Sequence, residues 1–477
     1  MAVKGTPLTA AEVHRLTTRR FEEMRPFRAG RIKVPDDAPL PPGPGWPMLV
    51  QSVALLRFRH WFQPWLSRRF GETFTVRIIP AGSPLVLFTR PEDVTEIFAG
   101  DPEYFLAGRG NSILGPVMGA HSLLLLDQDD HKRARKLLMP AFNGASLRGY
   151  RSLVDDLAAA EVGTWQPGET FRALDRMNAL TLEVILRVVF GVTEDSRLAQ
   201  LRPLVNQLVD VSPVVLFGWS FPRLQKMGTW RRMVEVQYAL DRLIYAEIGE
   251  RLDAPDLAAR TDVLSRLIAA GAVEDTAEDA GEGAGRGDSL GPEELRDQLM
   301  TLLLAGHETT ATGLAWALYE LGRDPVQARR AALAADEGDE DYLEAVFKES
   351  LRLHPVIPIV NRTLTEPATI GGWELPAGTT VGPSILLAHA RLEAYPDPER
   401  FDPERFLGTN PPVNTWIPFG GGVRRCIGAG FSVMEGVAVL RAVLSRYDVS
   451  AVGADRPKVR NITSVPGRGA RIRVSPR

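Results

Sequence analysis

Apolar residues recur at helical spacing along most of the chain from Pro91 onward. A period of three to four residues predicts amphipathic helices. The longest such pattern runs from Leu299 to Tyr319 and follows the segment Pro292 to Glu294, where proline and acidic side chains are typical of a helix start. Another helical pattern begins at Ile427 and continues through Phe431, Met434, Val437, Ala438, Leu440 and Leu444.

Two short runs nearer the N-terminus have a different pattern. Thr73 to Arg77 and Pro84 to Phe88 are rich in β-branched, aromatic and other apolar residues, and Pro80 to Gly82 separates them. This arrangement predicts a small hairpin or meander. Many helices with a few short strands indicate a mainly α fold that carries small β-sheets.

The chain is predicted to be one large domain preceded by a short segment. Residues 1–41 are expected to be an N-terminal lead-in, because each proline between Ala38 and Pro47 fixes φ and removes a hydrogen-bond donor. Residues 42–477 are expected to form the single domain. Within it, Gly271 to Gly291 is rich in glycine, alanine and acidic residues, which predicts a flexible loop between helices.

Composition and charge narrow the functional classes. A net charge of −3 and a hydrophobic content of 44% are ordinary for a globular protein. The chain contains no basic run interleaved with aromatic residues, which is the pattern that would predict nucleic-acid binding. Met1 to Asp37 lacks an apolar run long enough for a transmembrane anchor. Trp46 to Phe58 and Trp61 to Trp65 are expected to face the core, with a weak peripheral membrane contact as the open alternative.

Cys426 is the only cysteine in the chain, so it cannot form an internal disulfide or belong to a zinc site with two or more cysteines. It lies just before a predicted helix, beside Arg424 and Arg425. Helix N-termini and neighbouring cations favour the thiolate form, and nearby glycines allow backbone to approach the sulfur closely. These features predict a metal-ligating thiolate; an inert buried thiol is the alternative.

The segment around Cys426 resembles the haem-binding loop of the cytochrome P450 superfamily, which comprises haem-thiolate monooxygenases. The pattern Phe-Gly-x-Gly-x-Arg-x-Cys-x-Gly is matched by Phe419, Gly420, Gly422, Arg424, Cys426 and Gly428. The resemblance, to the soluble bacterial type, covers about Pro42 to Arg473. It implies the helix-rich cytochrome P450 fold, with haem b (iron protoporphyrin IX) between two long helices and Cys426 as the iron ligand.

The middle of the long helical pattern is unusually polar, with the sequence Ala305-Gly306-His307-Glu308-Thr309-Thr310. Glycine inside a helix costs about 1 kcal/mol relative to alanine. In the resembled family this segment crosses the distal face of the haem, so Ala305 and Gly306 would line the dioxygen groove. By the same likeness Thr309 would hydrogen-bond dioxygen and Glu308 would help relay protons. A core helix with back-bonded threonines is the alternative.

A zincin site is not supported, although His307 and Glu308 begin a similar motif. The second histidine would have to occupy position 311, which is Ala311.

Further matches concern the haem's surroundings. Glu349 and Arg352, three residues apart, resemble the family's Glu-x-x-Arg helix, and with Arg405 they are implied to form a buried structural network. The implied donors to the haem propionates are His131, Arg135, Arg362 and Arg424.

The basic residues close to these donors support a separate hypothesis. Lys132, Arg133, Lys136 and Arg425 could attract an acidic ferredoxin, although a solvated charged face is the alternative.

The resemblance implies a cytoplasmic enzyme that inserts one atom of O2 into a lipophilic small molecule such as a terpenoid, steroid, fatty acid or polyketide. Electrons would come from a separate ferredoxin or flavodoxin with an NAD(P)H reductase, because one cysteine cannot hold an iron–sulfur cluster. Segments that line the substrate pocket in the family match mostly apolar stretches here, namely Ile113 to Met118, Leu204 to Phe221, Leu302 to Ala305, Val356 to Val360 and Ile462 to Val465.

Three other functions stay open at this point. A haem-thiolate sensor or carrier would keep Cys426 without using Glu308 and Thr309. A peroxide-driven peroxygenase on the same fold would need no reductase. A hydrolase with Cys426 as nucleophile is a remote third, since no local nucleophile signature accompanies it.

Overall fold

The computed structural model describes residues 9–23, 32–35, 37–79, 84–192, 194–209, 226–274, 290–408 and 410–477. In this part of the chain the helices are α1 (Ala10–Glu23), α2 (Met48–Arg57), α3 (Arg59–Phe70), α4 (Pro91–Ala99), α5 (Ala107–Gly110), α6 (Gly115–Met118), α7 (Gln128–Leu138), α8 (Gly144–Gly163), α9 (Ala173–Phe190), α10 (Asp195–Val209), α11 (Gly228–Leu252), α12 (Val263–Glu274), α13 (Pro292–Arg323), α14 (Pro325–Glu337), α15 (Glu340–Leu353), α16 (Ile385–Ala388) and α17 (Ala429–Leu444). The strands are β1 (Thr73–Arg77), β2 (Pro84–Phe88), β3 (Phe105–Leu106), β4 (Thr170–Arg172), β5 (Arg362–Leu364), β6 (Ala368–Ile370), β7 (Trp373–Leu375), β8 (Thr380–Pro383), β9 (Tyr447–Ala451), β10 (Pro457–Arg460), β11 (Thr463–Pro466) and β12 (Arg471–Pro476).

Contacts divide the chain into two compact units. The first comprises Met1–Ala29, Asn111–Tyr150 and Leu182–His307, and the second comprises Gly30–Gly110, Arg151–Thr181 and Glu308–Arg477. All twelve strands given above belong to the second unit. Helix α13 contributes residues to both units, because the division falls between His307 and Glu308.

The second unit contains a five-stranded sheet in the order β1-β2-β8-β5-β3. The predicted hairpin is confirmed: β1 and β2 pair antiparallel, with Thr73 opposite Phe88. Strand β2 also pairs with β8 in parallel, and all five of its residues are buried, because an interior strand covered on both faces has no polar side. The other sheets have the orders β4-β12-β9, β10-β11 and β6-β7.

Local capping explains where two helices of the second unit end and begin. Helix α14 is followed by Gly338 at φ 75°, a left-handed conformation that glycine adopts without a Cβ penalty. The next residue, Asp339, starts α15 by accepting a hydrogen bond from the Tyr342 amide. Helix α15 packs against α14 and against α17, so the helix of the predicted structural network lies beside the helix that follows the cysteine loop.

The first unit contains a helix that the sequence pattern did not indicate. Helix α1 lies within the predicted lead-in and packs against α11. Thr17 Oγ1 donates to Asp241 Oδ2 at 2.7 Å, and Arg296 Nε donates to Asp241 Oδ1 at 2.8 Å. All three side chains are buried. The Thr17 hydroxyl therefore attaches α1 to the buried ion pair of Asp241 and Arg296.

Three sequence expectations about elements can be compared with the structure. The long helix is confirmed as α13, and it begins at Pro292 as predicted. The predicted loop from Gly271 is wrong over its first four residues, because apolar spacing continues α12 to Glu274. The rest of that loop up to residue 289 lies outside the described residues, as do residues 210–221 of the predicted pocket-lining segment that starts at Leu204.

The expectation that the Trp46 to Trp65 region faces the core is only half right. Phe62 and Leu66 are fully buried, whereas Leu49, Phe58 and Trp61 are exposed. Among the helices described, none is long and apolar enough to cross a bilayer.

Candidate functional site

The loop that carries Cys426 is closed by backbone hydrogen bonds. The Cys426 amide donates to Phe419 O at 2.9 Å, and the Arg425 amide donates to Gly422 O at 3.1 Å. Helix α17 begins three residues later at Ala429. The thiol itself is exposed, so Cys426 is not an inert buried thiol and is accessible to a ligand.

Two glycines of this loop are required by contacts with α4, for a reason that the sequence did not reveal. A Cβ on Gly421 would lie 2.2 Å from the Phe98 ring, and one on Gly422 would lie 2.2 Å from the Phe98 carbonyl oxygen. Gly422 also has φ +62°, as Gly420 has φ +65°, a region that residues with a Cβ rarely adopt. The glycines therefore allow the loop to pack against α4, whereas the sequence suggested an approach of backbone to sulfur.

The polar centre of α13 contains uncovered positions within a largely buried stretch of the helix. Leu303 and Ala311 are fully buried, whereas Ala305 is exposed and Thr309 is half-buried. His307 is buried and its Nδ1 lies 2.8 Å from Leu303 O one turn earlier. The polar stretch therefore combines two buried side chains, His307 and Glu308, with the exposed Ala305 and the half-buried Thr309.

Gly306 has a packing reason of its own within the first unit. A Cβ at this position would approach Ile185 Cδ1 to 2.8 Å, a distance at which the isoleucine must move. The contact with α9 thus also favours glycine here, and the dioxygen groove stays a prediction.

Glu308 contacts an arginine that sequence reasoning missed. Its carboxylate is buried, and Oε1 lies 3.4 Å from the Nε of Arg460 at the end of β10. The two groups form an ion pair at this distance. No local pattern marks Arg460, because it acquires this role only when β10 packs near α13.

The predicted network of Glu349, Arg352 and Arg405 is present in the second unit. Arg352 donates from Nε and NH2 to the two oxygens of Glu349 at 2.6 and 2.8 Å. Arg405 Nε lies 3.5 Å from Glu349 Oε1. Burial raises the pKa of Glu349, while hydrogen bonds and charge from Arg352 oppose that rise. The fork geometry supplies the strong bidentate pairing that such burial needs.

His389 connects this network to the cysteine loop and was also missed by sequence reasoning. Its Nε2 accepts from the Ile417 amide at 2.9 Å, so its Nδ1 carries the proton and donates to Arg352 O at 3.2 Å. Ile417 O in turn accepts from the Gly420 amide at 3.0 Å. Burial lowers the pKa of His389 to about 3, which keeps the ring neutral and preserves both hydrogen bonds.

The predicted propionate donors are divided between the two units. Arg362 at the start of β5 is buried, and Arg424 in the cysteine loop is half-buried; both belong to the second unit. His131 and Arg135 lie one turn apart on α7 in the first unit, with His131 buried. The roles assigned to these four residues stay predictions.

The basic residues proposed to attract a ferredoxin differ in their surroundings. Lys132, Lys136 and Arg425 are exposed. Arg133 instead donates to Glu294 Oε1 at 2.9 Å, so part of its charge is compensated. The hypothesis therefore depends mainly on the two lysines and Arg425.

The residues present fit an iron that is held mainly by a cofactor and receives one ligand from the protein. Within the described residues, no group of three or more His, Cys, Asp and Glu side chains could hold a metal ion. Cys426 is an exposed thiol next to Arg424 and Arg425, and a single thiolate of this kind suits haem iron. The haem ring would supply the other iron ligands that a single thiolate leaves unprovided.

Comparisons with known proteins agree with this chemistry. Residues 40–470 match the family model described as Cytochrome P450. A Mycobacterium tuberculosis protein named cytochrome P450 135A1 is 48% identical over 440 residues, which cover 92% of this chain and 95% of that protein. A Mycobacterium bovis protein named cytochrome P450 135B1 is 43% identical over 443 residues, with 91% of each chain covered.

Solved structures show the same likeness. A retinoic acid-bound cyanobacterial cytochrome P450 superposes with a TM-score of 0.77 at 25% identity, covering 92% of this chain and all of that one at 100%. A six-coordinated cytochrome P450 from Thermus thermophilus has a TM-score of 0.67 at 27% identity, with 90% and 99% of the two chains covered.

Proposed function

Because this chain belongs to the cytochrome P450 family, whose members are haem-dependent monooxygenases, we propose that it inserts one atom of dioxygen into a lipophilic small molecule. We propose further that a separate ferredoxin or flavodoxin, with its NAD(P)H reductase, supplies the electrons. The observation that carries the assignment is the exposed thiol of Cys426 in the glycine-rich loop before α17.

Each site residue has a proposed part. Cys426 ligates the iron, while Arg362, Arg424, His131 and Arg135 hold the propionates. Bound haem supplies dioxygen activation, and electron donation from the thiolate favours cleavage of the oxygen–oxygen bond. The Thr309 hydroxyl orients dioxygen by a hydrogen bond, and Glu308 holds a proton near it with Arg460 fixing the carboxylate.

A lipophilic substrate is supported by two observations. Two of the predicted pocket-lining segments, Ile113 to Met118 and Leu302 to Ala305, are apolar. The cyanobacterial structure named above holds retinoic acid, a lipophilic molecule. Because apolar pockets with few polar groups bind such ligands, terpenoids, steroids, fatty acids and polyketides are the compounds to screen.

Spectroscopy tests the haem assignment. Reduced protein under carbon monoxide should show the red-displaced Soret band of thiolate-ligated haem, and Cys426→Ser should lose it. A Cys426→Ser protein that keeps both this band and turnover would remove the proposal.

Turnover tests the electron source. Substrates found by spin-state shift should be oxidised with NADPH, a surrogate ferredoxin and its reductase. Product formed with hydrogen peroxide but never with the reductase system would instead identify a peroxygenase, and ligand binding without any product would identify a carrier or sensor.

A further inference from the structure

A group of exposed apolar side chains lies on helices α2 and α3 and the strand ends beside them. We call this group the α2–α3 face. Three of its members are highly exposed, Leu49 at 63%, Trp61 at 56% and Phe58 at 54%. The complete set is Trp46, Leu49, Val50, Val53, Phe58, Trp61, Ile79 and Ile462.

Hydrogen bonds connect the strand ends of this group to the two helices. The Ile79 amide donates to Ser52 Oγ on α2 at 2.8 Å. Arg59 NH1 on α3 donates to Ile462 O at 2.9 Å. The ends of β1 and β11 that carry the exposed Ile79 and Ile462 are therefore attached directly to the two helices.

Two aromatic members of the face pack on rings that lie closer to the core. The rings of Trp46 and Trp61 stack on Trp65 with centroids 4.8 and 6.0 Å away, and on the fully buried Phe62 at 5.7 and 6.4 Å. Phe62 belongs to a closed apolar cluster with Leu55 and Leu66. The exposed rings of Trp46 and Trp61 thus lie outside a buried apolar cluster that does not need them as cover. An exposed apolar patch of this kind marks an interaction site.

The segment that contains α2 and α3 carries charge of one sign. From Ala38 to Gly71 the chain contains no Asp or Glu. The exposed arginines at its edges are Arg57, Arg68, Arg69 and Arg77. Among the residues that the structure describes, none of these four forms an ion pair; the nearby Glu72 is engaged by Arg391 at 2.7 Å.

We propose that the α2–α3 face attaches the protein peripherally to a bilayer that contains anionic phospholipids. Tryptophan is favoured at the level of lipid headgroups, and aliphatic side chains next to it would enter the boundary of the acyl chains. Uncompensated arginines at the rim would meet the phosphates of anionic lipids. The absence of acidic residues from this stretch fits a negatively charged surface.

Vesicle flotation with the full chain tests the attachment. Vesicles of phosphatidylcholine mixed with phosphatidylglycerol should bind the protein more tightly than vesicles of phosphatidylcholine alone, and added NaCl should weaken binding. Phe58→Ser with Trp61→Ser should lower the partition coefficient about tenfold or more, since both rings leave the apolar phase. Arg57→Gln with Arg68→Gln should lower the partition coefficient about tenfold, because each basic side chain adds its own electrostatic attraction to the anionic lipid surface.

Matched controls keep the test specific. Leu392 and Val413, exposed at 69% and 77%, lie outside the face, so Leu392→Ser with Val413→Ser should bind vesicles like the unaltered protein. Equal circular dichroism of all variants checks folding, and no readout requires haem or substrate.

Several outcomes would overturn the proposal. Attachment through this face is contradicted if the protein fails to float with anionic vesicles, if it binds neutral and anionic vesicles equally, or if both face variants bind like the unaltered protein. A concentration-dependent dimer in light scattering that Phe58→Ser with Trp61→Ser abolishes would show instead that the face joins two copies of the chain.

Discussion

At the scale of single residues, the pair of Glu308 and Arg460 has the clearest chemical consequence. Glu308 is 5% exposed, and the Nε of Arg460 lies 3.4 Å from its Oε1. A buried acid has few positions open to it, and the neighbouring arginine constrains where the carboxylate points. Arg460 is therefore expected to act as a positioning residue.

A double-mutant cycle tests this coupling. Glu308→Gln should lower the turnover number about 100-fold, because a positioned acid or base typically contributes 10²–10⁴-fold. Arg460→Gln should lower it less, and the double variant should resemble Glu308→Gln alone, since interacting residues are non-additive. Product formed per NADPH consumed should fall in parallel.

The exposed Arg456 lies on the same segment, so Arg456→Gln serves as the control for lost surface charge. Fully additive effects of Glu308→Gln and Arg460→Gln would contradict the pairing.

At the scale of elements, the cysteine loop depends on its fit to α4. Gly421→Ala should destabilise the protein by about 1–3 kcal/mol, the usual cost of overpacking, because its Cβ would meet the Phe98 ring at 2.2 Å. It should also reduce the haem bound per chain, measured by pyridine haemochrome absorbance.

Gly149→Ala in α8 is the matched control. A Cβ there meets nothing within 4 Å, and alanine is the better helix former. Equal haem content and stability in Gly421→Ala and Gly149→Ala would show that the contact with α4 is unimportant.

The network on α15 should be far more sensitive than a surface pair. Arg352→Leu leaves Glu349 buried without its bidentate partner, and breaking a buried pair typically costs about 3–5 kcal/mol. Denaturation by urea, followed by tryptophan fluorescence, measures this loss. Arg231→Ala removes an exposed pair with Glu235 and should change stability by less than about 1 kcal/mol; similar losses in the two variants would argue against a buried network.

At the scale of the whole molecule, buried neutral histidines make folding sensitive to acid. Burial lowers the pKa of His389 to about 3, and burial with the charge of Arg59 lowers the pKa of His60 to about 4. An unfolded histidine takes up a proton near pH 6.5. Between that pH and the folded pKa values, the unfolded state binds more protons, so stability falls as the pH is lowered.

Each histidine should contribute up to about 1.4 kcal/mol per pH unit over this window. Urea unfolding at pH 7, 6 and 5 measures the slope. His389→Gln should be less stable at pH 7 but should lose less stability on acidification. An unchanged slope in this variant would mean that His389 is not buried as a neutral ring.

The features that could be predicted from sequence alone have local signals. The apolar spacing of α13 and the start of α17 predicted both helices, and β1 with β2 formed the expected hairpin. The cysteine loop, matched at six of ten consecutive positions, predicted the family that the comparisons confirm. These inferences succeed because turn chemistry, helix periodicity and a contiguous motif depend on neighbours in the chain.

Other features became visible only after folding. His389 joins Arg352 to Ile417, Phe98 explains two loop glycines, and Arg460 meets Glu308 from 152 positions away. Helix α1 is a further example, because Thr17 in this helix bonds to Asp241, which lies 224 positions away in the sequence.

The pattern of α2 and α3 shows the same limit most directly. Apolar residues identified the helices, but only the packed structure decides that Phe62 is covered while Trp61 remains exposed. Sequence by itself determined the local elements and the family, because those depend on short-range order. Tertiary structure decided which side chains meet and which stay uncovered, because burial and pairing depend on distant parts of the chain that folding brings together.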